Sequence, residues 1–574
     1  MRLLKGNPVS AGIAIGRAYI YKAYELNVFE SYFDPSETER RMAQYESAVA
    51  GARQELDQII EKLQREEDDK YEIFEAHKEI LEDEEIVDQI RSAIADDCAM
   101  PDYAVDQVFS AFAKLLAKAK DPLIAARAAD LRDVRNRLVR VIHCEPERNL
   151  ANLPEEVIVI AHDLLPSDTA TLDRSRVLGI ITEVGGATSH SAIIARSYGI
   201  PAVLGVPDAC AVIHEGDTCI ADALSGTVYV RADESTVTDY LDKQRQYRLE
   251  AAEIQKFYAL PGRMADGEKV EIGLNAGSPE YTDAYDVIDF VGLLRSEFLY
   301  MQSDHMPTEE EQYRAYAQVL TNAAGHPVTL RTLDIGGDKS LPYFDLPKED
   351  NPFLGNRALR LCLSHPEIFN IQLRAALRAS VKGPLWLMFP MVGSMDDVRA
   401  AKAAVEQAKS DLRSEGIPFD ENVKIGVMIE IPAMAEIADL VAREVDFASV
   451  GTNDLAQYTH AVDRMNAAVA DYYQSFSPAM LRSLGRIFRA FRDAGKPVSV
   501  CGEMGGNPAA AVVMVGLGLR KLSMSGSNIA RVKRVLSRFT MAEAEALASQ
   551  VVDLPTQAEI LECINSAIAK KMED

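Results

Sequence analysis

Tryptophan, paired cysteines and long apolar runs are all scarce in this sequence. Its 574 residues include one tryptophan and seven cysteines. The cysteines are Cys98, Cys144, Cys210, Cys219, Cys362, Cys501 and Cys563. Because their number is odd and no C-x-x-C pair occurs, the pattern argues against a disulfide framework or a cysteine-rich zinc site and fits a reducing compartment.

No segment is long and apolar enough to suggest membrane insertion. The longest apolar run, 509–519, has about 11 residues, whereas a membrane-spanning helix needs roughly 20. Residues 1–10 also lack the apolar core of a signal peptide. We therefore expect a cytoplasmic protein without membrane insertion.

Basic residues are outnumbered by acidic ones. The sequence has 61 Lys and Arg against 88 Asp and Glu, which gives a formal charge of −27. Nucleic acids and anionic membranes repel such a chain, so neither is an expected partner, although a basic protein can still bind it. No Walker A motif and no G-x-G-x-x-G dinucleotide fingerprint occurs either.

Changes in composition divide the chain into segments. Residues 22–144 are rich in Glu, Ala, Lys, Arg and Leu, with apolar residues at helical spacing, which predicts a helical insert. The β-branched runs of residues 1–21 and 145–230 predict one α/β domain around that insert. Residues 231–260 are charged and poor in large apolar groups, which indicates an exposed helical linker.

Residues 261–574 alternate between strand-like and helical segments. Eight strand-like runs separated mostly by helical patterns predict a (β/α)₈ barrel. The runs are 270–274, 290–294, 328–333, 385–390, 425–431, 447–450, 497–501 and 521–524. The carboxyl ends of these strands meet at one mouth, so the polar residues at those ends should converge on one site. They include Asn275, Asp334, Glu503 and Ser525.

Several of these strand-end residues have the chemistry of a phosphate and cation site. Arg295, Arg331, Arg357 and Arg464 are arginines near this mouth. Their planar guanidinium groups match phosphate and carboxylate oxygens. Glu430 and Asp454 follow neighbouring strands and can hold one Mg²⁺ together with substrate oxygens. Each residue alone could equally belong to a surface ion pair. The prediction of a phosphate and cation site therefore rests on their joint placement at the strand ends.

Two further residues are candidates for a direct part in the reaction. His190 lies in Gly185-Gly186-Ala187-Thr188-Ser189-His190, a turn that precedes a helical pattern, where free backbone N–H groups can hold a phosphoryl group. A neutral imidazole nitrogen is a competent nucleophile, although an exposed capping turn is the simpler interpretation. Cys501 ends the seventh strand and can be a general acid, a nucleophile or a buried apolar residue.

Taken together, these segments resemble enzyme I of the bacterial phosphotransferase system, the phosphoenolpyruvate–protein phosphotransferases. The resemblance extends over essentially the whole chain, and seven motifs occur in order. They are the turn before His190, Arg295-Ser-Glu-Phe-Leu, the segment from Arg331 to Lys339, the segment from Asn351 to Arg357, Gly426-Val-Met-Ile-Glu430, Gly451-Thr-Asn-Asp454-Leu and Cys501-Gly-Glu-Met-Gly505.

This resemblance implies a multidomain α/β fold: a swivelling α/β phosphohistidine domain with an all-helical insert, followed by a C-terminal (β/α)₈ TIM barrel. It further implies that His190 is phosphorylated at Nε2 by phosphoenolpyruvate, that Cys501 protonates the enolate carbon, and that the insert docks the phosphocarrier HPr. The implied ligand sets are Arg295, Arg331, Arg357, Asn453 and Arg464 for phosphoenolpyruvate, and Glu430 and Asp454 for Mg²⁺. Members of the family are homodimers through the barrel.

Two departures from the family pattern leave alternatives open. The family commonly has Arg where this chain has Ala187, and Thr where it has Leu165. A regulatory paralogue that binds phosphoenolpyruvate with weak transfer is therefore one alternative. Phosphoenolpyruvate synthase and pyruvate phosphate dikinase share the histidine turn and barrel. They also carry a large nucleotide-binding domain, for which we expect no room here.

Overall fold

The computed structural model divides into two compact units, Met1–Glu250 and Ala251–Asp574. It describes residues 1–21, 28–65, 71–116, 122–145, 150, 153, 155–164, 168–169, 172–186, 189–277, 284–303, 305–336, 341, 343–344, 346–347 and 349–573.

The first unit contains an eight-stranded mixed sheet. Its strands, in chain order, are β1 (Arg2–Lys5), β2 (Asn7–Ser10), β3 (Ile13–Tyr21), β4 (Val157–Ala161), β5 (Val177–Thr182), β6 (Ala202–Leu204), β7 (Thr218–Asp222) and β8 (Thr227–Val230). Their order in the sheet is β1-β8-β7-β3-β4-β5-β6-β2, and β3, β4, β5 and β6 run parallel. The helices described after β5 in this part of the chain are His190–Tyr198, Ala209–Val212 and Glu234–Gln255.

Alternation along β4 shows why this strand is apolar throughout. Val157, Val159 and Ala161 belong to one buried cluster, whereas Ile158 and Ile160 belong to another. Because successive side chains of a strand point to opposite faces, the sheet is covered on both sides. Both faces of β4 are therefore buried, which explains its continuous apolar run.

The long helical segment is inserted in the sequence between β3 and β4, which are neighbours in the sheet. Its helices are Thr38–Arg65, Tyr71–Leu81, Glu84–Ala95, Pro101–Leu116 and Pro122–Ile142. Their local sequence explains them: the side chain of Asp83 accepts the N–H of Ile86 at 3.0 Å, and Ile86, Ile90 and Ile94 are buried on one face. A separate hydrophobic core, with Tyr45, Phe74 and Phe109 among its fully buried members, holds these helices together.

The second unit is a closed barrel of eight parallel strands. They are β9 (Glu271–Ala276), β10 (Phe290–Arg295), β11 (Val328–Arg331), β12 (Leu385–Phe389), β13 (Lys424–Ile429), β14 (Phe447–Val450), β15 (Val498–Val500) and β16 (Lys521–Met524). Each strand pairs with the next in sequence, and β16 pairs with β9 to close the barrel. All eight strands coincide with predicted strand-like runs to within three residues at each end, so the predicted barrel is confirmed.

Helices surround this barrel and bury its outer face. They are Glu297–Gln302, Glu309–Asn322, Leu359–Ser364, Pro366–Ala379, Met395–Glu415, Pro432–Glu436, Ala438–Glu444, Thr452–His460, Pro478–Asp493, Pro508–Gly516, Gly526–Leu536, Met541–Val551 and Gln557–Glu573. The helix Pro478–Asp493 shows the pattern, since Leu481, Leu484 and Phe488 face inward from one stripe and are buried.

The helix Glu234–Gln255 buries none of its residues and matches the predicted exposed helical segment. Its first half is bonded to the sheet: Lys243 Nζ donates to Asp222 at 2.6 Å, and Gln244 donates to the carbonyl of Ile13 at 2.6 Å. Among the described residues, no helix combines the length and apolarity needed to cross a membrane. The predicted domain boundaries stay a prediction.

Candidate functional site

The loops that follow the barrel strands enclose a cavity of about 400 Å³. Six of the residues predicted to meet there line it together: Arg295, Arg331, Arg357, Glu430, Asn453 and Asp454. Arg464 and Cys501 complete the lining from the predicted set. The parallel topology explains this convergence, because all eight strands end at the same mouth.

Arg331 is buried at the end of β11 between two carboxylates. Its Nη2 donates to Glu297 Oε1 at 2.8 Å, and its Nη1 lies 3.0 Å from Asp334 Oδ2. Burial alone would lower the pKa of Arg331, but the charges of Glu297 and Asp334 outweigh it and raise the pKa above its ordinary value. The guanidinium is therefore a permanent positive charge in the cavity wall.

Arg357 is held by the same central carboxylate. Its Nη2 donates to Asp334 Oδ1 at 2.8 Å, and its guanidinium lies 5.4 Å from the centre of the Phe353 ring. The loop before it is fixed by Glu349, whose Oε1 accepts the N–H of Asn356 at 2.9 Å. Gly355 leaves room for that carboxylate, because a Cβ there would stand within 2 Å of it and the glutamate side chain would have to move.

Several buried guanidinium N–H groups at the cavity have no hydrogen-bond partner. They are Nε of Arg331, Nε and Nη1 of Arg357, and Nη1 of Arg464. A buried donor without a partner costs free energy unless a ligand satisfies it. Their number and charge therefore indicate an anionic ligand with several oxygens, such as a phosphate or a carboxylate.

Glu430 and Asp454 form the predicted carboxylate pair. Glu430 Oε1 accepts the N–H of Met391 at 2.6 Å, and Asp454 Oδ1 is buried without a hydrogen bond, 3.6 Å from Arg464 Nη2. Burial, followed by the charges of Asp454 and Asp334, raises the pKa of Glu430 to about 8. Gly451 allows this packing, because a Cβ there would lie 2.6 Å from Glu430 Oε2.

These two carboxylates fit a divalent cation. Two buried, mutually repelling carboxylates with an unsatisfied oxygen are stabilised by a cation between them, and oxygen ligands suit Mg²⁺. The described residues contain no group of three or more His, Cys, Asp or Glu side chains arranged to hold a metal. A cation at this pair would therefore need oxygens from the substrate or water to complete its coordination.

Cys501 lies at the end of β15 and is buried in the barrel interior. Burial raises the pKa of its thiol, so the thiol stays protonated at neutral pH and can donate a proton. Asn275 fixes the backbone here by donating to the Cys501 carbonyl at 2.8 Å, and Asn453 Oδ1 accepts the N–H of Glu503 at 3.2 Å.

A second lobe of about 680 Å³ adjoins the first cavity. Arg295, Asn453 and Cys501 line both lobes. The new walls come from the ends of the first strand and the last two strands and include Asn275, Glu503 and Ser525, which were among the predicted strand-end residues. The mouth is therefore larger than a small anion requires.

His190 is the first residue of the helix His190–Tyr198 in the other unit. The N-cap is Ser189, whose Oγ accepts the N–H of Ala192 at 3.3 Å, as expected for a capping turn. Gly185 has a φ of +106°, a conformation that favours glycine at this turn. Leu165 and Ala187, the two departures from the family pattern, lie outside the described residues.

Sequence reasoning missed Glu297, and it named Asp334 as a strand-end residue without giving it a role. Glu297 Oε1 accepts both Arg331 Nη2 and the N–H of Asp334 at 3.0 Å, so it ties two strand-end loops together. Asp334 bridges Arg331 and Arg357. A signal was present, because Glu297 lies two residues after Arg295 and Asp334 three after Arg331, in motifs already singled out.

Comparison with known families agrees with the fold. Three family models match: the N-terminal domain of PEP-utilising enzymes over residues 5–127, their mobile domain over 153–226, and their PEP-binding domain over 251–541. The last includes every barrel residue of the cavity described above. The chain is thus a PEP-utilising enzyme.

Curated relatives narrow this class. Phosphoenolpyruvate-protein phosphotransferases of Priestia megaterium and Bacillus subtilis are each 42% identical to it, over 568 and 566 residues. The alignments cover 98% of this chain, and 98% and 99% of those proteins. A solution structure of an enzyme I protein is 40% identical, with a TM-score of 0.39, and covers 43% of this chain and 99% of that one. The chain belongs to the phosphoenolpyruvate-protein phosphotransferase family, and the resemblance found in the sequence is confirmed.

Proposed function

We propose that this chain transfers the phosphoryl group of phosphoenolpyruvate to His190, releases pyruvate, and then passes the group to a histidine of HPr to start sugar uptake by the phosphotransferase system. The reaction occurs in the cytoplasm. The observation that carries the proposal is the set of unpartnered guanidinium N–H groups of Arg331, Arg357 and Arg464 around one cavity.

The barrel residues bind and orient the substrate. Arg295, Arg331, Arg357 and Arg464 surround its anionic groups, and Asn453 lines the same pocket. Glu430 and Asp454 hold Mg²⁺, which offsets charge on the phosphoryl oxygens when it is bound. Phosphoryl transfer needs this neutralisation and an in-line nucleophile more than covalent help from the protein.

The transfer itself involves two residues. The bond between phosphorus and the enol oxygen breaks as His190 Nε2 bonds to phosphorus, which leaves an enolate. The protonated thiol of Cys501 gives its proton to the enolate carbon, and pyruvate forms. Solvent then returns a proton to the thiolate. In the second half-reaction, the N–P bond of His190 breaks as the HPr histidine takes the phosphoryl group.

The proposal also assigns the remaining segments. Residues 22–144 dock HPr, and residues 261–574 form a homodimer. Because the same histidine serves both a barrel site and a separate protein, the domain that bears it must change position. Hinges at 145–155 and 230–260 would allow that change.

Labelling with ³²P-phosphoenolpyruvate and Mg²⁺ tests the proposal. The native chain should take up acid-labile, base-stable label, and HPr should remove it. His190→Ala should take up none, whereas His214→Ala, which alters an exposed histidine of the same unit, should label normally. A native chain that binds phosphoenolpyruvate without taking up label would contradict the transferase and favour the regulatory paralogue.

A further inference from the structure

A second histidine lies at the sheet edge where the His190 helix begins. His162 directly follows β4, and Glu183 directly follows β5. These two strands are parallel neighbours, so both residues lie at the same edge. His162 has no part in the function described above.

Backbone and side-chain contacts bring this edge close to the start of the helix. The N–H of Val184 donates to the carbonyl of His162 at 3.1 Å. Ser191, the residue after His190, donates its Oγ–H to the carbonyl of Leu164 at 3.2 Å. The loop that carries His162 is therefore in direct contact with the first turn of the His190 helix.

His162 and Glu183 form a defined pair. The Nδ1 of His162 lies 2.7 Å from Glu183 Oε2, and Glu183 Oε1 accepts the N–H of Cys210 at 2.9 Å. The hydrogen bond from His162 is the main reason that the pKa of Glu183 lies below its ordinary value. Because an ionised carboxylate accepts the proton of Nδ1, Nε2 is directed away from it, on a side chain that is 72% exposed.

The sequence around this edge has few basic groups to balance the charge of a phosphoryl group. From Val177 to Ala195 the sequence contains no Lys or Arg, whereas Asp163 and Glu183 are both acidic. A phosphoryl group on His190 would add nearly two further negative charges. Backbone N–H groups of the helix can satisfy some of its oxygens, but no lysine or arginine of this segment is available to balance them.

We propose that His162, oriented by Glu183, is a positioning residue that donates its Nε2–H to an oxygen of the phosphoryl group carried by His190. This inference rests on the proposed phosphorylation of His190. In the imidazolium form His162 has a proton on both nitrogens, so it can pair with Glu183 and the phosphoryl group together. It stabilises the phosphorylated protein without forming a bond to phosphorus.

The test compares three variants at a fixed ratio of phosphoenolpyruvate to pyruvate. We expect His162→Ala to lower the equilibrium ratio of ³²P-labelled to unlabelled protein about fivefold, the effect of one charge-assisted hydrogen bond at an exposed site. His162→Lys restores a cationic donor and should return the ratio to within about twofold of native. His214→Ala is the matched control and should not change it. The KM for phosphoenolpyruvate should stay constant, because the barrel residues that bind it are unaltered.

The outcomes separate this inference from the proposed function. A native chain that takes up no label would overturn both. Label that depends on His190, with an unchanged ratio in His162→Ala, would overturn the positioning role alone. Label that persists in His190→Ala and disappears in His162→Ala would show that His162 itself accepts the phosphoryl group, which also contradicts its positioning role. Failure of His162→Lys to restore the ratio would show that the cationic donor is not what matters.

Discussion

Glu430→Gln should stabilise the metal-free barrel while it abolishes the benefit of Mg²⁺. The pKa of the Glu430 carboxyl is raised from 4.5 to about 8 by burial and by the charges of Asp454 and Asp334. Its folded-state pKa lies above the unfolded value, so folding binds a proton between these two pH values. The native barrel therefore loses stability, relative to the Glu430→Gln variant with its neutral side chain, as pH rises from 4.5 to 8.

The expected size follows from this difference. Each pKa unit corresponds to 1.36 kcal/mol, and pH 7 lies two and a half units above 4.5, so the variant should gain about 3 kcal/mol in free energy of unfolding at pH 7. At pH 4 the gain should vanish. Saturating Mg²⁺ should stabilise the native chain and reduce the difference in free energy of unfolding between the two proteins, because the cation binds the ionised carboxylate that the variant lacks.

The only tryptophan makes the measurement specific. Trp386 lies in β12 and packs on Phe447 with ring centres 4.8 Å apart, so its fluorescence reports unfolding of the barrel unit alone. Denaturant titrations at pH 4 to 8, with and without Mg²⁺, would be compared with Glu436→Gln, an exposed glutamate of the same unit. Equal pH profiles for native and Glu430→Gln, or equal stabilisation of both by Mg²⁺, would refute the reasoning.

Three further changes probe the same cavity. Asp334→Asn should lower the free energy of unfolding by about 3 kcal/mol in the Trp386 assay, because it weakens the bridge between two buried arginines; an unchanged midpoint would contradict this. Arg357→Lys should lower kcat/KM for phosphoenolpyruvate about 100-fold, since the unpartnered Nε and Nη1 donors are lost, and a loss below about threefold would remove Arg357 from the binding set. Cys501→Ala should slow pyruvate release at least about 100-fold. Because burial raises the pKa of its thiol above the ordinary value, the native rate should hold to a higher pH than the pKa of an ordinary thiol, and an earlier alkaline fall in a pH–rate profile would argue against the thiol as acid.

The barrel was predictable because its signals are local. Each strand is a short apolar run, as in Leu385–Phe389, and most are followed by a helical pattern. Polar residues follow such runs closely: Glu430 comes one residue after its strand and Asp454 four residues after its own, so the topology alone predicts that they meet. The capping turn before His190 was predictable for the same reason, since Ser189 and its helix are adjacent in sequence.

The order of the strands in the mixed sheet was harder to predict from the sequence. β3 and β4 pair side by side although the whole helical insert separates them in sequence. Composition grouped residues 1–21 with the later α/β segment, but pairing and register depend on contacts between distant residues, which no local pattern records.

Composition and motif order by themselves determined the class of fold and the family, and they predicted the two candidate sites, because each depends on residue type and on position along the chain. Only the tertiary structure decided that Glu297 and Asp334 hold the arginines, that guanidinium donors of Arg331, Arg357 and Arg464 have no partner, and that His162 is paired with Glu183 beside the His190 helix. The physical reason is distance: hydrogen bonds and charge interactions act over a few ångströms in space, and the folded backbone alone determines which side chains come that close.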